Sequence, residues 1–564
     1  MKFEEYKYVR PNMEQITREF HHWLNHFHHA ENVEDQHQAI AELNKVSSMF
    51  DTMYNLCYIR HTIDTEDEFY KAENDFMDEV LPVMEGLNAD FNKAIVQSNF
   101  RSQLEEKWGK QLFALAEVQL KTFSPNIVPL LQKENKLVSQ YTKLVASAKI
   151  LFEGEERTLA QLQPFAESTD REIRKKATEA RFTFFAEHEE EFDRIYDDLV
   201  QVRTEIAKTL GYKNFVELGY DRMNRTDYNA DMVKNYRNQI QTYIVPLATA
   251  LYKRQEKRIG VDSLKFYDES LQFLTGNATP KGDAEWILEN GKKMYAQLSP
   301  ETNEFFQFMT EHHLLDLLAK RGKASGGYCT FIADYQSPFI FSNFNGTSGD
   351  IDVLTHEAGH AFQVYSSRHI ETPELIWPTT EACEIHSMSM EFFTYPWMNL
   401  FFKEDTDKYK FAHLSAALQF LPYGVAVDEF QHAVYENPEA TPEERKQIWK
   451  ELEKKYLPHR DYDGFAYLER GGFWQRQGHI FESPFYYIDY TLAQICAFQF
   501  WKKSQEDHDA AWKDYLHLCK QGGTKSFTQL VKEANLISPF EDGCVKSVID
   551  TIQNYLNEVD DKNL

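Results

Sequence analysis

A mainly α-helical chain with one small β element is the fold class this sequence predicts, on three observations. Glycine and proline are scarce, 23 and 18 of 564 residues, together about 7% against an average near 12%. Apolar residues recur three and four apart over most of the length, which is the helical period. Only between Gly322 and Gly349 does the texture change, where Gly326-Gly327, Pro338, Asn345-Gly346 and Gly349 punctuate the chain.

From about Pro11 to Gly260 the periodic segments predict eight or more helices, separated near Pro82 to Asn88, Ser124-Pro125, Pro164 and Gly211. In Phe192 to Lys208, for example, Ile195, Leu199, Val202 and Ile206 fall on one stripe and charged residues fill the other face. No fixed-period repeat is present, which disfavours a solenoid. Phe339-Ile340-Phe341-Ser342-Asn343-Phe344 predicts a short strand that begins after Pro338 and ends at the Asn345-Gly346 turn. Helical texture resumes after Asp350, with loops expected near Glu371 to Pro378, Asn437 to Pro442 and Pro458 to Gly464.

Charge narrows the function classes. The 61 basic and 89 acidic residues give a net charge of -28, which repels phosphate backbones and leaves nucleic acid and anionic membranes poor partners. Six dispersed cysteines without a CxxC pair do not form a disulfide framework. No run of 18 apolar residues occurs and Met1 to Tyr6 has no leader character. A cytoplasmic protein is expected. Its oligomeric state is open.

One motif carries chemistry: His356-Glu357-Ala358-Gly359-His360. On a helix, residues four apart project from one face, so both imidazoles can hold one zinc ion per chain while Glu357, about 100° round, faces the water the ion would polarise. A chain of this composition would supply about 0.06 such matches by chance. Asp350 or Asp352 is a plausible N-cap for the helix. A catalytic zinc needs a third protein ligand. A second helix starting at Thr379 or Thr380 offers Glu384, with Glu381 and His386 as rivals. Asp352 and Glu391 are candidates to orient the ligating histidines through their second ring nitrogen. The N-terminal histidines, His22 and His26 among them, lack an adjacent acid and are read as a solvated helix face. Asp428-Glu429-Phe430-Gln431-His432 could join a polar cleft wall, but a solvated helical surface is the preferred reading.

With these residues in view, the chain resembles the zinc oligopeptidases of the thimet oligopeptidase and oligoendopeptidase F group, oligoendopeptidase F and Pz-peptidase-like members most closely. The similarity lies in Glu384 to Glu391 (EIHSMSME), Leu210 to Phe215 (LGYKNF), Leu264 to Asp268 (LKFYD), and Gly478 to Phe481 (GHIF) leading into Pro484 to Tyr490 (PFYYIDY). It spans roughly residues 200 to 500. Relatives often read Phe-Tyr-x-Tyr-x-Tyr in the last segment, where this chain has Ile488 in place of the middle tyrosine. The resemblance implies an elongated, multi-helix zinc-peptidase fold, with a small β-sheet beside the HExxH helix and a deep substrate channel. An N-terminal helical domain (residues 1–190) would cover the channel and a catalytic domain (residues 191–564) would hold the zinc.

The expected activity is endopeptidase cleavage of short unstructured peptides. Zinc would polarise water and carbonyl, Glu357 would be the general base, and His479 with Tyr487 or Tyr490 would donate hydrogen bonds to the oxyanion. Tyr486 would contact substrate. An exposed edge on the strand containing Phe341 and Asn343 could grip a peptide backbone. The alternatives are a carboxypeptidase or dipeptidyl carboxypeptidase with the same zinc chemistry and, more remotely, a non-catalytic helical peptide-binding scaffold.

Overall fold

A computed structural model describes residues 1–564 except 321, 322, 325 and 345, and leaves aside the side chains of residues 78, 82, 139, 142, 143, 146 and 160. The fold is mainly α with two small sheets. The chain packs as two units, each assembled from three stretches, where a single cut near residue 190 was expected. Unit 1 comprises Met1–Lys121, Thr279–Lys403 and Gln499–Leu536; unit 2 comprises Thr122–Ala278, Glu404–Phe498 and Ile537–Leu564.

Unit 1 opens with the helices Met13–His28, Val33–Ile63, Glu68–Val96, Arg101–Trp108 and Lys110–Lys121. Their apolar faces meet in one core that includes Ile16, Phe20, Ile40, Phe50, Phe91 and Phe113. The break expected at 82–88 does not occur: the helix Glu68–Val96 runs through it. Met77, Met84, Leu87 and Phe91 are buried along its length, and that burial outweighs the local preference of proline and glycine to end a helix.

The sheet of unit 1 has the order β3-β5-β4, with β3 Leu315–Leu318, β4 Tyr328–Ile332 and β5 Ser337–Phe344. β5 runs parallel to β3, from Leu315↔Ile340 to Leu318↔Phe344, and antiparallel to β4, from Tyr328↔Phe341 to Ile332↔Ser337. The strand therefore starts at Ser337, one residue before the expected proline. Pro338 is tolerated because β3 pairs only from Ile340 onward. Of the turn expected at Asn345-Gly346, Asn345 lies outside the described residues and Gly346 has φ 85°.

Behind the sheet lies the motif helix Gly349–Ser367, which packs on the helices Thr380–Phe393 and His508–Gln521. Leu354, Ala358, Ala361 and Phe362 are buried, and Phe362 stacks with Trp512 at 5.7 Å. Truncation of a side chain as enclosed as Leu354 costs about 2–5 kcal/mol. Neither Asp350 nor Asp352 is the N-cap. The helix begins at Gly349, both aspartates lie in its first turn, and Asp350 Oδ2 accepts the Gly346 N–H at 2.8 Å.

In unit 2 the predicted helix appears as Glu189–Thr209, with Ile195, Leu199, Val202 and Ile206 at most 1% exposed. It closes at Gly211 (φ 87°), where the Tyr212 N–H reaches back to the Ala207 carbonyl. A hairpin absent from the sequence reading, β1 Ile150–Phe152 and β2 Glu155–Arg157, turns through Glu153 and Gly154, both at positive φ. The long helix Thr406–Glu436 is buried along most of its length.

Candidate active site

The motif helix and the helix Thr380–Phe393 press together and bring three ligand atoms to one point. His356 Nε2 lies 3.3 Å and His360 Nε2 3.5 Å from Glu384 Oε2. Two atoms bonded to one tetrahedral zinc at 2.0–2.2 Å would be about 3.4 Å apart. Both spacings match that value, and three protein ligands leave a fourth position. Among the described residues, His356, His360 and Glu384 are the one cluster of metal-ligating groups at this spacing.

Two of the three groups are held from behind. The His356 Nδ1–H donates to Glu391 Oε1 at 2.7 Å, which turns the Nε2 lone pair toward the cluster. Ser387 Oγ donates to Glu384 Oε2 at 3.0 Å. Burial opposes a charge on Glu384, but the two imidazoles outweigh it and hold the carboxyl well below the usual range. Burial likewise disfavours charge on His356, and Glu384 and Glu391 reverse that effect.

Close approach of the two helices depends on the third residue between the ligating histidines. A Cβ on Gly359 would lie 2.6 Å from Ser387 Cα and 2.7 Å from the His386 carbonyl oxygen. Glu357 projects from the same turn and is buried. Burial raises its carboxyl pKa, against the lowering influence of the two imidazoles, as suits a proton acceptor. Gly327, just before β4, lies over it: a Cβ there would be 3.7 Å from Glu357 Oε1.

A second cluster forms in unit 2. The Tyr423 hydroxyl donates to Gln477 Oε1 at 2.8 Å, and Gln477 Nε2 in turn faces His479 Nδ1 at 2.9 Å. With Nδ1 accepting, His479 carries its proton on Nε2 and presents a donor there. Tyr490 Oη lies 3.5 Å from that Nε2. Tyr486 packs against Tyr490 with ring centroids 5.0 Å apart, and Tyr487 is edge-on to His479 at 5.0 Å.

Comparison with known proteins follows this geometry. Residues 3–123 match the Peptidase M3 N-terminal domain, and residues 165–278 and 297–548 match Peptidase family M3. This chain belongs to peptidase family M3. A solved structure of Pz peptidase A with inhibitor 2 is 68% identical, with a TM-score of 0.95 over 100% of both chains. Oligopeptidase PepF of Bacillus subtilis (strain 168) is 21% identical over 569 residues, covering 94% of this chain and 82% of that one. Oligoendopeptidase F homolog of Borreliella burgdorferi is 25% identical over 423 residues, 70% of this chain and 69% of that one. The protein is thus a peptidase with the M3 fold, and no described helix is long and apolar enough to cross a membrane.

In this M3 peptidase Glu384, not its rivals, joins the histidines. His386 is fully buried, and burial pulls its pKa down to about 3; its Nδ1 bonds the Ala382 carbonyl at 2.7 Å, one turn back in its own helix. Glu381 is buried apart from the cluster. Glu391, not Asp352, occupies Nδ1 of His356.

Phe341 and Asn343 require a correction. β5 is the interior strand, paired on both sides, so it has no free edge for a peptide. Phe341 is 0% exposed, and Asn343 Nδ2 is committed to the carbonyls of Ala324 and Gly326. The segment 428–432 is not a solvated face either. Asp428 accepts from Arg237 at 2.6 Å, His432 Nε2 meets the Tyr220 hydroxyl at 2.9 Å, and Gln431 Oε1 accepts the Phe485 N–H at 2.9 Å. These buried groups hold Phe485 at φ 68°, directly before the helix that carries Tyr487 and Tyr490. Sequence reasoning missed Tyr423 and Gln477. A lone tyrosine or glutamine carries no spacing signal, and these two meet only across 54 positions of chain.

Proposed function

We propose that this M3 peptidase is a zinc-dependent endopeptidase that hydrolyses short, unstructured peptides. The observation that carries the reading is the pair of 3.3 and 3.5 Å separations from Glu384 Oε2 to the two histidine Nε2 atoms, with Glu391 behind one of them. His356, His360 and Glu384 would hold the ion, which when bound supplies a Lewis acid and acidifies water.

The residues of this chain do the rest. Glu357 takes the proton of the attacking water and returns it to the leaving amine, its carboxylate made more basic by burial. His479, fixed as an Nε2–H donor by Gln477, and Tyr490 donate to the carbonyl oxygen as it becomes negative. Contacts of this kind are each worth about 3–4 kcal/mol of barrier. Tyr487 supports His479 edge-on and Tyr486 lies against substrate beside Tyr490. The family relatives named oligopeptidases support short peptides as the size class.

The test is zinc content together with digestion of peptides blocked at both ends and graded in length. About one zinc per chain and internal cleavage that fades beyond a couple of dozen residues are expected. Intact blocked peptides would instead assign an exopeptidase.

A further inference from the structure

Beside the Tyr423–Gln477–His479 chain lies a pair of cations that no step above employs. Arg476 lays its guanidinium on the Phe473 ring, 4.6 Å from the centroid. Phe473 is edge-on to Tyr423 at 5.9 Å, and Tyr423 is edge-on to Tyr487 at 5.9 Å. Phe182 also stacks with Phe473, at 5.6 Å, and Arg460, itself paired with Glu269, lies 4.4 Å from the same centroid. Arg181, the neighbour of Phe182, donates to Gln163 Oε1 at 3.2 Å, while Arg181 Nε is buried without a hydrogen-bond partner.

What sets Arg476 and Arg181 apart is what they lack. Every arginine that unit 2 buries outright meets a carboxylate: Arg174 with Asp268, Arg203 with Glu134, Arg225 with Asp489, Arg237 with Asp428, Arg258 with Asp561 and Arg445 with Asp197. Among the described residues neither Arg181 nor Arg476 has an ion pair, in a chain where acidic residues outnumber basic ones 89 to 61. Burial and then the charge of Arg476 push the Arg181 guanidinium down to about 10. Like charges crowded together without a counter-ion oppose folding. A ligand that brings the missing charge would offset that cost.

We propose that Arg476, with Arg181 behind it, receives a carboxylate of the bound peptide, so that the enzyme recognises a negative group on its substrate as well as the bond it cleaves. The inference deepens the reading above and rests on its assignment of His479 and Tyr490 to the substrate. A guanidinium fork matches a carboxylate in two parallel hydrogen bonds. The ring contacts from Phe473 to His479 are each 5–6 Å, and an extended peptide advances about 3.3 Å per residue. The recognised carboxylate therefore lies within a few residues of the scissile bond. The C-terminal carboxylate of a short peptide and an acidic side chain near that bond share this chemistry.

The experiment uses the zinc-loaded enzyme and matched quenched fluorescent peptides of one neutral sequence. One ends in a free carboxylate and one in an amide, and an amide series carries Glu or Gln at successive positions after the cleaved bond. The wild-type kcat/KM should favour the carboxylate-bearing peptide about tenfold or more, mainly through KM. R476M should bring that ratio near one, and R476K should restore part of it. A preference following the free terminus identifies the terminal carboxylate as the source, and one following Glu identifies an acidic side chain. R181M should weaken the preference yet raise the melting temperature, since it removes a cation with no counter-ion; a purely structural arginine would do the reverse. Equal wild-type hydrolysis of neutral and carboxylate-bearing peptides overturns the proposal and leaves the peptidase reading standing. Failure to cleave any of them sinks the reading beneath it.

Discussion

Gly359→Ala tests whether the metal cluster depends on how closely two helices approach. The added methyl would sit 2.6 Å from Ser387 Cα, 2.7 Å from the His386 carbonyl oxygen and 3.0 Å from Met390 Cβ. Ordinary contact begins at 3.4 Å, so the helices must part by about 1 Å, at a cost of about 1–3 kcal/mol of stability. His386 and Ser387 flank the turn that carries Glu384, and that carboxylate would retreat with them. Metal sites tolerate about 0.2 Å of error in ligand distance, so the loss exceeds the tolerance several-fold. Zinc affinity should fall by at least about 10–100-fold, the range seen when merely the groups behind the ligands are disturbed. Competition with a fluorescent chelator reads the affinity and chemical denaturation the stability. Wild-type values for both in G359A would refute the reasoning.

Further outcomes follow from the same geometry. Glu357→Gln should keep about one zinc per chain by elemental analysis and lose about 10²–10⁴-fold in turnover; undiminished hydrolysis would remove Glu357 from the role of base. Glu391→Ala strips the acceptor from His356 Nδ1 and should weaken zinc about 10–100-fold. Glu391→Gln, which keeps an acceptor, should lose less, and equal losses in a chelator titration would contradict the orienting role. In unit 2, burial raises the Glu269 carboxyl but Arg460 and His459 bring it down to about 2, against about 4.3 in an unfolded chain. Because the folded value is the lower one, this stabilisation is complete above about pH 4.3 and drains away as pH falls toward 2, about 3 kcal/mol in all. Glu269→Gln should cost about 3–5 kcal/mol at pH 7 by stranding Arg460 and flatten the acid limb of a denaturation series. An unchanged limb would show that another carboxylate drives it.

Much of the candidate metal cluster was legible because its determinants are local. His356 and His360 need only one helical turn, and Glu384 needs only the next helix; Glu391 follows two turns after Glu384. The rest depended on distant partners. Leu315–Leu318 is only four residues long with no β-branched side chain and becomes a strand by pairing with the strand Ser337–Phe344. That same pairing removed the edge expected at Phe341. Asp428 and His432 look like an ordinary polar helix face until Arg237 and Tyr220, some two hundred positions earlier in the chain, close over them. Discontinuous units leave no compositional mark at all, since each stretch has its own amphipathic helices.

That discontinuity also dictates an order of assembly. The motif helix leaves the ribosome with Phe362 uncovered, because Trp512 and Tyr515, against which it rests, are translated much later. Until then the nascent chain displays aromatic surface beside histidines already able to catch a stray ion. Contacts so remote in sequence form slowly, and a polypeptide halted before residue 536 could not complete the unit that carries the candidate metal cluster. Synthesis itself thus withholds a finished protease until the stretch Gln499–Leu536 has emerged.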